Sequence, residues 1–258
     1  MAKMTLLEMT QDILSDMDSD EINSINDSVE SLQVAQIIKS TYYNIIDGRD
    51  YDFLYELFQV DSNADSATPT HMKLPDNIID LKYIKYNTRS STDTKDKYLK
   101  IKYLMPEDFM ELVDKRDSSK SNVTVVTDST GISINVKNDK APEYFTSFDD
   151  EYIVFDSYDS GVDTVLKKNK TQCHGKRSVT FTLSDTFTPD LPVQMFTYLL
   201  AEAKSTSFAT LKQMPNAKAE QVSISQKRRM SQDAWRLKDG IHYPNYGRMT
   251  RVKKGPNY

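Results

Sequence analysis

Asp27-Ser28-Val29-Glu30-Ser31-Leu32-Gln33-Val34-Ala35-Gln36-Ile37-Ile38-Lys39-Ser40-Thr41-Tyr42-Tyr43-Asn44-Ile45-Ile46-Asp47-Gly48 is the stretch on which the fold turns. Asp27 stands where a helix cap belongs and Glu30 follows three residues later, so each side chain can satisfy an orphan amide of the first turn. Val29, Leu32, Val34, Ile37, Ile38, Tyr42, Ile45 and Ile46 then recur at helical spacing, and Gly48 is placed to end the helix. An apolar face that wide needs a partner. Upstream, Thr5-Leu6-Leu7-Glu8-Met9 through Leu14 predicts a shorter helix, interrupted by the turn-prone acidic run from Ser15 to Glu21. Downstream, Tyr51 to Phe58 reads as a short aromatic helical segment.

The partner face lies at the other end of the chain. Pro192-Val193 opens a helix running to about Gln213, with Val193, Phe196, Leu199, Leu200, Ala203, Phe208 and Leu211 on its apolar side and Pro215-Asn216 closing it. A further helix covers roughly Ala217 to Leu237, but its face is thin: Ala219, Val222, Ile224, Met230, Ala234, Trp235 and Leu237 are spread among glutamines, serines and arginines. A helix of that length and polarity packs against its own chain and something else, or frays.

The middle changes period. Ile78 to Tyr86, Tyr98 to Leu104, Val123 to Val126, Ile132 to Val136, Tyr152 to Phe155 and Val179 to Leu183 read as strands. The third and fourth form a hairpin across Asp128-Ser129-Thr130-Gly131. Pro106-Glu107-Asp108 starts a short helix ending near Lys115-Arg116. Tyr144 to Tyr158 is crowded with aromatic rings, part sheet core and part interface.

Neither terminal helical segment has enough partners alone. The expected fold is therefore α+β: a helical bundle formed by the N- and C-terminal segments, an inserted antiparallel β-rich region, and an extended C-terminal arm. The expected divisions are 1–60, 61–189, 190–237 and an arm at 238–258.

Charge is balanced overall, with 38 acidic against 33 basic side chains and a formal net of −5, so no global field announces nucleic acid as the main partner. Its distribution is uneven. Residues 1–60 hold 12 acidic and 3 basic side chains, whereas residues 220–258 hold 9 basic and 3 acidic. Such a split can join one subunit's end to another's, and it is equally compatible with solvated surface. No apolar run is long enough for a signal peptide or a membrane span, and the single Cys173 cannot form an internal disulfide, so the expected site of synthesis is a cytoplasm.

Candidate chemistry is sparse. Asp16, Asp18 and Asp20 alternate like calcium ligands, but the calcium loop's glycine and bidentate glutamate positions hold Glu21 and Asp27, so a helix-flanking acidic loop is expected. Cys173-His174 pairs a thiol with an imidazole. Neighbours on a strand point to opposite faces, which is poor geometry for a nucleophile and its base. His71, His174 and His242 are too scattered for zinc-ligand spacing, and no glycine-rich phosphate loop or G-x-S-x-G is present. No cofactor, metal or catalytic residue is expected. Lys227-Arg228-Arg229, with Arg236 and Lys238 beyond, make a broad positive face; an acidic protein neighbour, solvent and passing DNA all fit it. A hydrolase with a pocket around Cys173/His174 and a DNA-binding module using the basic helix at 227–238 are the alternatives to a structural subunit.

The order of segments resembles the head-to-tail adaptor proteins of short-tailed phages, the tail tubular protein A family. The resemblance is carried by Met4-Thr5-Leu6-Leu7, Ile25-Asn26-Asp27-Ser28-Val29-Glu30-Ser31 and Tyr42-Tyr43 ahead of Gly48-Arg49. His71-Met72-Lys73-Leu74-Pro75, Phe148 to Asp156 and the C-terminal helices with their arm continue it. It implies a virion protein of the neck or tail, a homo-oligomeric ring of twelve subunits beneath the portal protein, a tail tube or nozzle protein on the other side, and DNA passing through without sequence-specific binding. Portal or inter-subunit contact then falls to Lys227, Arg228, Arg229, Trp235 and Arg236 on the last helix. In the arm it falls to Tyr243, Tyr246, Arg248, Arg251, Lys253, Lys254 and Tyr258.

Overall fold

The computed structural model describes residues 3–90, 92–128, 130–149 and 151–238, with side chains of the last helix as far as Gln232. In chain order the elements are α1 (Leu6–Asp16), α2 (Val29–Asp47), β1 (Tyr55–Phe58), β2 (Asp61–Ser62), β3 (His71–Lys73), β4 (Ile78–Asn87), β5 (Tyr98–Tyr103), α3 (Pro106–Asp114), β6 (Val123–Thr127), β7 (Ser133–Lys137), β8 (Tyr144–Ser147), β9 (Tyr152–Phe155), β10 (Thr171–Arg177), α4 (Val193–Ser207) and α5 (Ala217–Lys238). The fold is mixed helix and strand, with five α-helices and a curled eight-stranded sheet among the described residues. Two compact units form. One takes the described residues up to Asp52 and from Phe181 onward; the other is Phe53–Thr180.

In the first unit α1 is closed by a reciprocal cap: the Glu8 amide donates to Thr5 Oγ1 (3.2 Å) and the Thr5 amide to the Glu8 carboxylate (2.8 Å). The Leu6 and Leu7 amides, orphaned at the helix start, donate to the carbonyls of Phe187 (2.7 Å) and Asp185 (3.3 Å). The cap of α2 is one residue later than expected. Ser28 caps and Ser31, not Glu30, completes the box, while Asp27 accepts the Asn23 and Ser24 amides at 2.7 and 2.8 Å. Aspartate's short carboxylate reaches backward in that tight loop, which leaves the smaller serine to turn into the helix. Gly48 ends α2 in the right-handed region (φ −65°), so glycine's left-handed freedom is not used.

α4 contacts α1, α2 and α5. It contributes Met195, Phe196, Leu199, Ala201 and Ala203 to a core shared with Leu6, Met9, Ile13, Val34, Ile38 and Tyr42. Each such large side chain gains roughly 1.5–3 kcal/mol on leaving water. Beyond Ser207 the chain widens into a π-helical turn, Phe208–Lys212, which Gln213 ends in the left-handed region (φ 52°). The expected single helix to Gln213 is therefore α-helical only to Ser207.

Two expectations fail on either side of the sheet. Tyr51–Phe58 is not a helix: a 3-10 turn at Asp52–Leu54 leads into β1, which pairs antiparallel with β10. Val179–Leu183 is not a strand, although its residues alternate well. Phe181 is taken into an aromatic cluster with Tyr42 (ring centroids 5.2 Å apart) and Phe187 (4.6 Å), and its amide donates to the Tyr43 hydroxyl at 3.1 Å. These two changes move the unit boundaries from the expected 60 and 190 to Asp52/Phe53 and Thr180/Phe181.

In the second unit the sheet order is β1-β10-β4-β5-β8-β9-β3-β2, with β6-β7 a separate hairpin. Among the described residues the pairings between these strands are antiparallel except β5 with β8, which is parallel, and an isolated parallel bridge joins Lys137 to Ser157. That departs from the expected wholly antiparallel region. The connection passes through α3 and the hairpin, and parallel neighbours require a crossover of such length. At Gly175 the register of β10 on β4 shifts, and a Cβ there would strike the Asp80 carbonyl oxygen. Phe109 and Val113 of α3 and Val126, Ile134 and Val136 of the hairpin close over Ile84, Ile101, Phe145, Val154 and Phe155.

A buried ion pair joins these layers. Arg116 Nη2 lies 2.8 Å from Asp156 Oδ2, with side-chain exposures of 9% and 1%. Arg116 Nη1 donates to the Asn135 carbonyl (3.1 Å) and to that of Asp156. Asp156 Oδ1 accepts the Glu143 and Tyr144 amides at 3.0 and 2.9 Å. Asp156→Ala strands a buried guanidinium and two amides and is expected to lower the stability of this unit by about 3–5 kcal/mol in urea unfolding. The exposed Glu111→Ala should cost less than about 0.5 kcal/mol. Similar midpoints for the two variants would contradict the assignment.

Candidate interaction surface

α5 begins where Asn216 Oδ1 accepts the Ala219 amide at 3.0 Å, the Asn-cap arrangement. Of its described side chains, Ala219 and Ser223 are buried, and Ser223 Oγ donates to the Glu202 carboxylate on α4. Val222, Gln226 and Met230 are half-buried on the same stripe, at the three- and four-residue spacing that faces one neighbour. The other side is open, and Ile224 there is 52% exposed. Among the described residues the expected thin face is covered mainly by α4.

Lys227, Arg228 and Arg229 are all exposed. Arg228 and Arg229 line a shallow concavity on α5 with Gln221, Ile224 and Gln232. Lys227 lies instead at a groove of about 540 Å³ bordered by α2, α4 and the π-helical turn, whose lining mixes polar Gln33, Gln36, Asn44 and Glu202 with apolar Ile37 and Leu211. Among the described residues no carboxylate is in ion-pair range of any of the three cations. Trp235 and Arg236 continue the helical backbone of α5, but their side chains lie outside the described residues, as do Tyr243, Tyr246, Arg248, Arg251, Lys253, Lys254, Tyr258 and the whole expected arm from 239 onward.

Three carboxylates of the acidic N-terminal segment, Asp12, Asp16 and Glu30, are engaged by lysines of their own unit. Lys204 on α4 takes Asp12 at 2.7 Å and Asp16 at 2.6 Å. Burial alone would lower the Lys204 pKa, but the two carboxylates hold it above the ordinary lysine value. Asp18 adopts the left-handed region (φ 55°) after α1, and the Ser19 amide returns to the Leu14 carbonyl at 3.1 Å, a Schellman ending. The acidic loop therefore has a backbone reason. Among the described residues no group of three or more histidine, cysteine, aspartate or glutamate side chains is placed to hold a metal ion.

Cys173 and His174 lie on opposite faces of β10. Cys173 faces the core, fully buried, and burial pushes its thiol up to about 12. His174 stands on the outer face between Tyr55 and Tyr83, stacked on both at 5.5 Å with ring planes 19° apart. The sequence did not single out this outer face. Its signal was the alternation Lys100-Ile101-Lys102, which sets Lys100 and Lys102 on one side of β5, and on β4 the placing of Tyr83 and Lys85 on the side opposite the buried Ile84 and Tyr86.

No helix among the described residues is long and apolar enough to cross a membrane. In the native chain Cys173 is expected to react with an aromatic disulfide reagent about a hundredfold more slowly than in urea, because the thiolate is suppressed and covered. Full-rate labelling without denaturant would instead reopen a nucleophilic role for it. No protein-family model matches the chain, and no curated protein matches it.

Proposed function

We propose that this chain is a structural virion protein, a subunit of a ring-shaped head-to-tail adaptor between portal and tail tube, through which DNA passes. The observation that carries the proposal is α5: 22 residues long, covered on one stripe by α4, and presenting Lys227, Arg228 and Arg229 without intramolecular partners among the described residues. Helices so polar gain little from their own propensity and are finished by packing. A neighbouring copy or a partner ring supplies that packing. The resemblance of the segment order to short-tailed phage adaptors supports the identity of the assembly, and no reacting group is needed for it.

The finer architecture belongs to the same proposal. The helices of both chain ends form one bundle that holds the portal, with the β-rich unit turned to other contacts. In a closed ring each interface is heterologous, joining one patch of a subunit to a different patch of the next. The acidic surplus of residues 1–60 and the basic surplus of residues 220–258 suit such a pairing. A channel near neutral or negative charge lets DNA slide, since each cation touching phosphate would add a counterion-release grip.

The test is co-sedimentation and electron microscopy with portal rings of the same virus. The full chain is expected to form a symmetric collar on them. A variant ending at Lys238 should unfold at the same urea concentration but lose most of the attachment. Binding of the shortened chain at full strength, or a full chain that stays monomeric beside portal rings, would contradict the proposal.

A further inference from the structure

The eight-stranded sheet is split along part of its length. β4 and β5 are paired only where Ile84–Asn87 meets Ile101–Tyr98. Before Ile84, β4 keeps β10 on one side and, among the described residues, no strand on the other. After Ile101, β5 turns to β8: the Lys102 amide donates to the Glu143 carbonyl (3.0 Å) and the Leu104 amide to the Phe145 carbonyl (2.9 Å). Peptide groups alternate in direction along a strand, so the Tyr103 amide and carbonyl point away from β8, into the split. Ile78–Tyr83 presents an open backbone edge across it.

Between the splayed strands lies a cleft of about 800 Å³. Its floor is apolar, made by Ile78, Ile101, Phe145 and Ile153, none more than 7% exposed. Ile79 and Tyr103 stand at its rim, 66% and 53% exposed. The charged groups around it are Lys82, Lys100 and Lys102 against the single carboxylate of Asp80. Lys82 Nζ is paired to Asp80 Oδ2 at 2.8 Å, which leaves Lys100 and Lys102 with no carboxylate in ion-pair range among the described residues.

An open edge above an apolar floor invites another strand, and lysines along such an edge decide which strand is admitted. They repel a second lysine-edged copy. They equally repel the chain's own C-terminal segment, where Arg248, Arg251, Lys253 and Lys254 have no acidic residue beyond Asp239 to balance them. An extended segment alternating apolar and acidic residues satisfies every feature at once: apolar side chains on the floor, carboxylates at Lys100 and Lys102, and main-chain hydrogen bonds to the open edges.

We propose that the split between β4 and β5 receives an extended segment of an acidic partner protein, added to the sheet as a strand. The site lies wholly within Phe53–Thr180 and stands or falls independently of the adaptor assignment. The probe is a fluorescent octapeptide alternating valine and glutamate, titrated with the full chain in an anisotropy assay. It is expected to bind, to weaken with salt, and to lose about tenfold or more in affinity to Lys100→Glu combined with Lys102→Glu, while Lys120→Glu in a distant loop changes it less than about twofold. The same peptide N-methylated at every internal amide keeps its charge but has no N–H to offer to either edge, and it should not bind. The proposal is overturned if the acidic peptide fails to bind, if the N-methylated or a valine-lysine peptide binds as well, or if an oligothymidylate of equal charge binds more tightly, which would assign the lysines to nucleic acid.

Discussion

α4 is the element on which the first unit depends, because its neighbours come from both ends of the chain. α1 and α2 lie on it from the N-terminal side and α5 from the C-terminal side. The attachment is polar as well as apolar. Lys204 closes on Asp12 and Asp16, the latter 188 positions away in sequence, and the Phe187 and Asp185 carbonyls cap the start of α1. A half-buried lysine between two carboxylates stays charged and costs little only while both partners are present. The N-terminal helices therefore cannot complete their core until the last third of the chain has arrived, which makes this a unit of long-range contacts and slow closure.

The second unit has its own organising group. Asp156 is almost fully buried, yet its carboxylate accepts from a guanidinium, two amides and the Ser157 hydroxyl, so its desolvation is offset from several directions. Those partners belong to the ends of α3, β8 and β9, and Arg116 reaches β7 through the Asn135 carbonyl. The clamp fixes where β8 begins, and β8 in turn draws β5 away from β4. The split in the sheet is thus a consequence of the parallel crossover and not of a weak hairpin, since Ile84 and Ile101 at its apex are buried on either side.

Helices were legible in the sequence where period and capping agreed. α2, α3 and α5 fall close to the expected limits because apolar spacing in α2, proline at the start of α3 and the break at Pro215-Asn216 before α5 each marked a boundary. Strands were legible where they alternate and are bounded by turns, as in β4, β5 and the β6-β7 hairpin, or where a short apolar run such as Tyr152–Phe155 stands alone. β10 was hidden: Gln172, His174, Gly175, Lys176 and Arg177 give it no apolar alternation, and Gly175 is required by the register shift against Asp80. Val179–Leu183 failed in the opposite sense, for a good alternation there serves one anchored ring, Phe181. The thin face of α5 was foreseen and the exposure of Lys227, Arg228 and Arg229 fits it. The lysine-rimmed split was not foreseen, because it exists only once β5 pairs with β8, a contact between segments separated by α3 and a hairpin.

In the proposed adaptor, α5 carries a face that another chain covers. Amide hydrogen exchange of residues 217–232, compared between the isolated full chain and the same chain assembled with portal rings, tests this directly. The expected result is rapid exchange along α5 in the isolated chain and strong slowing on assembly, with α2 and α4 protected in both. Equal exchange along α5 in the two states, or full protection already present in the dilute monomer, would contradict it.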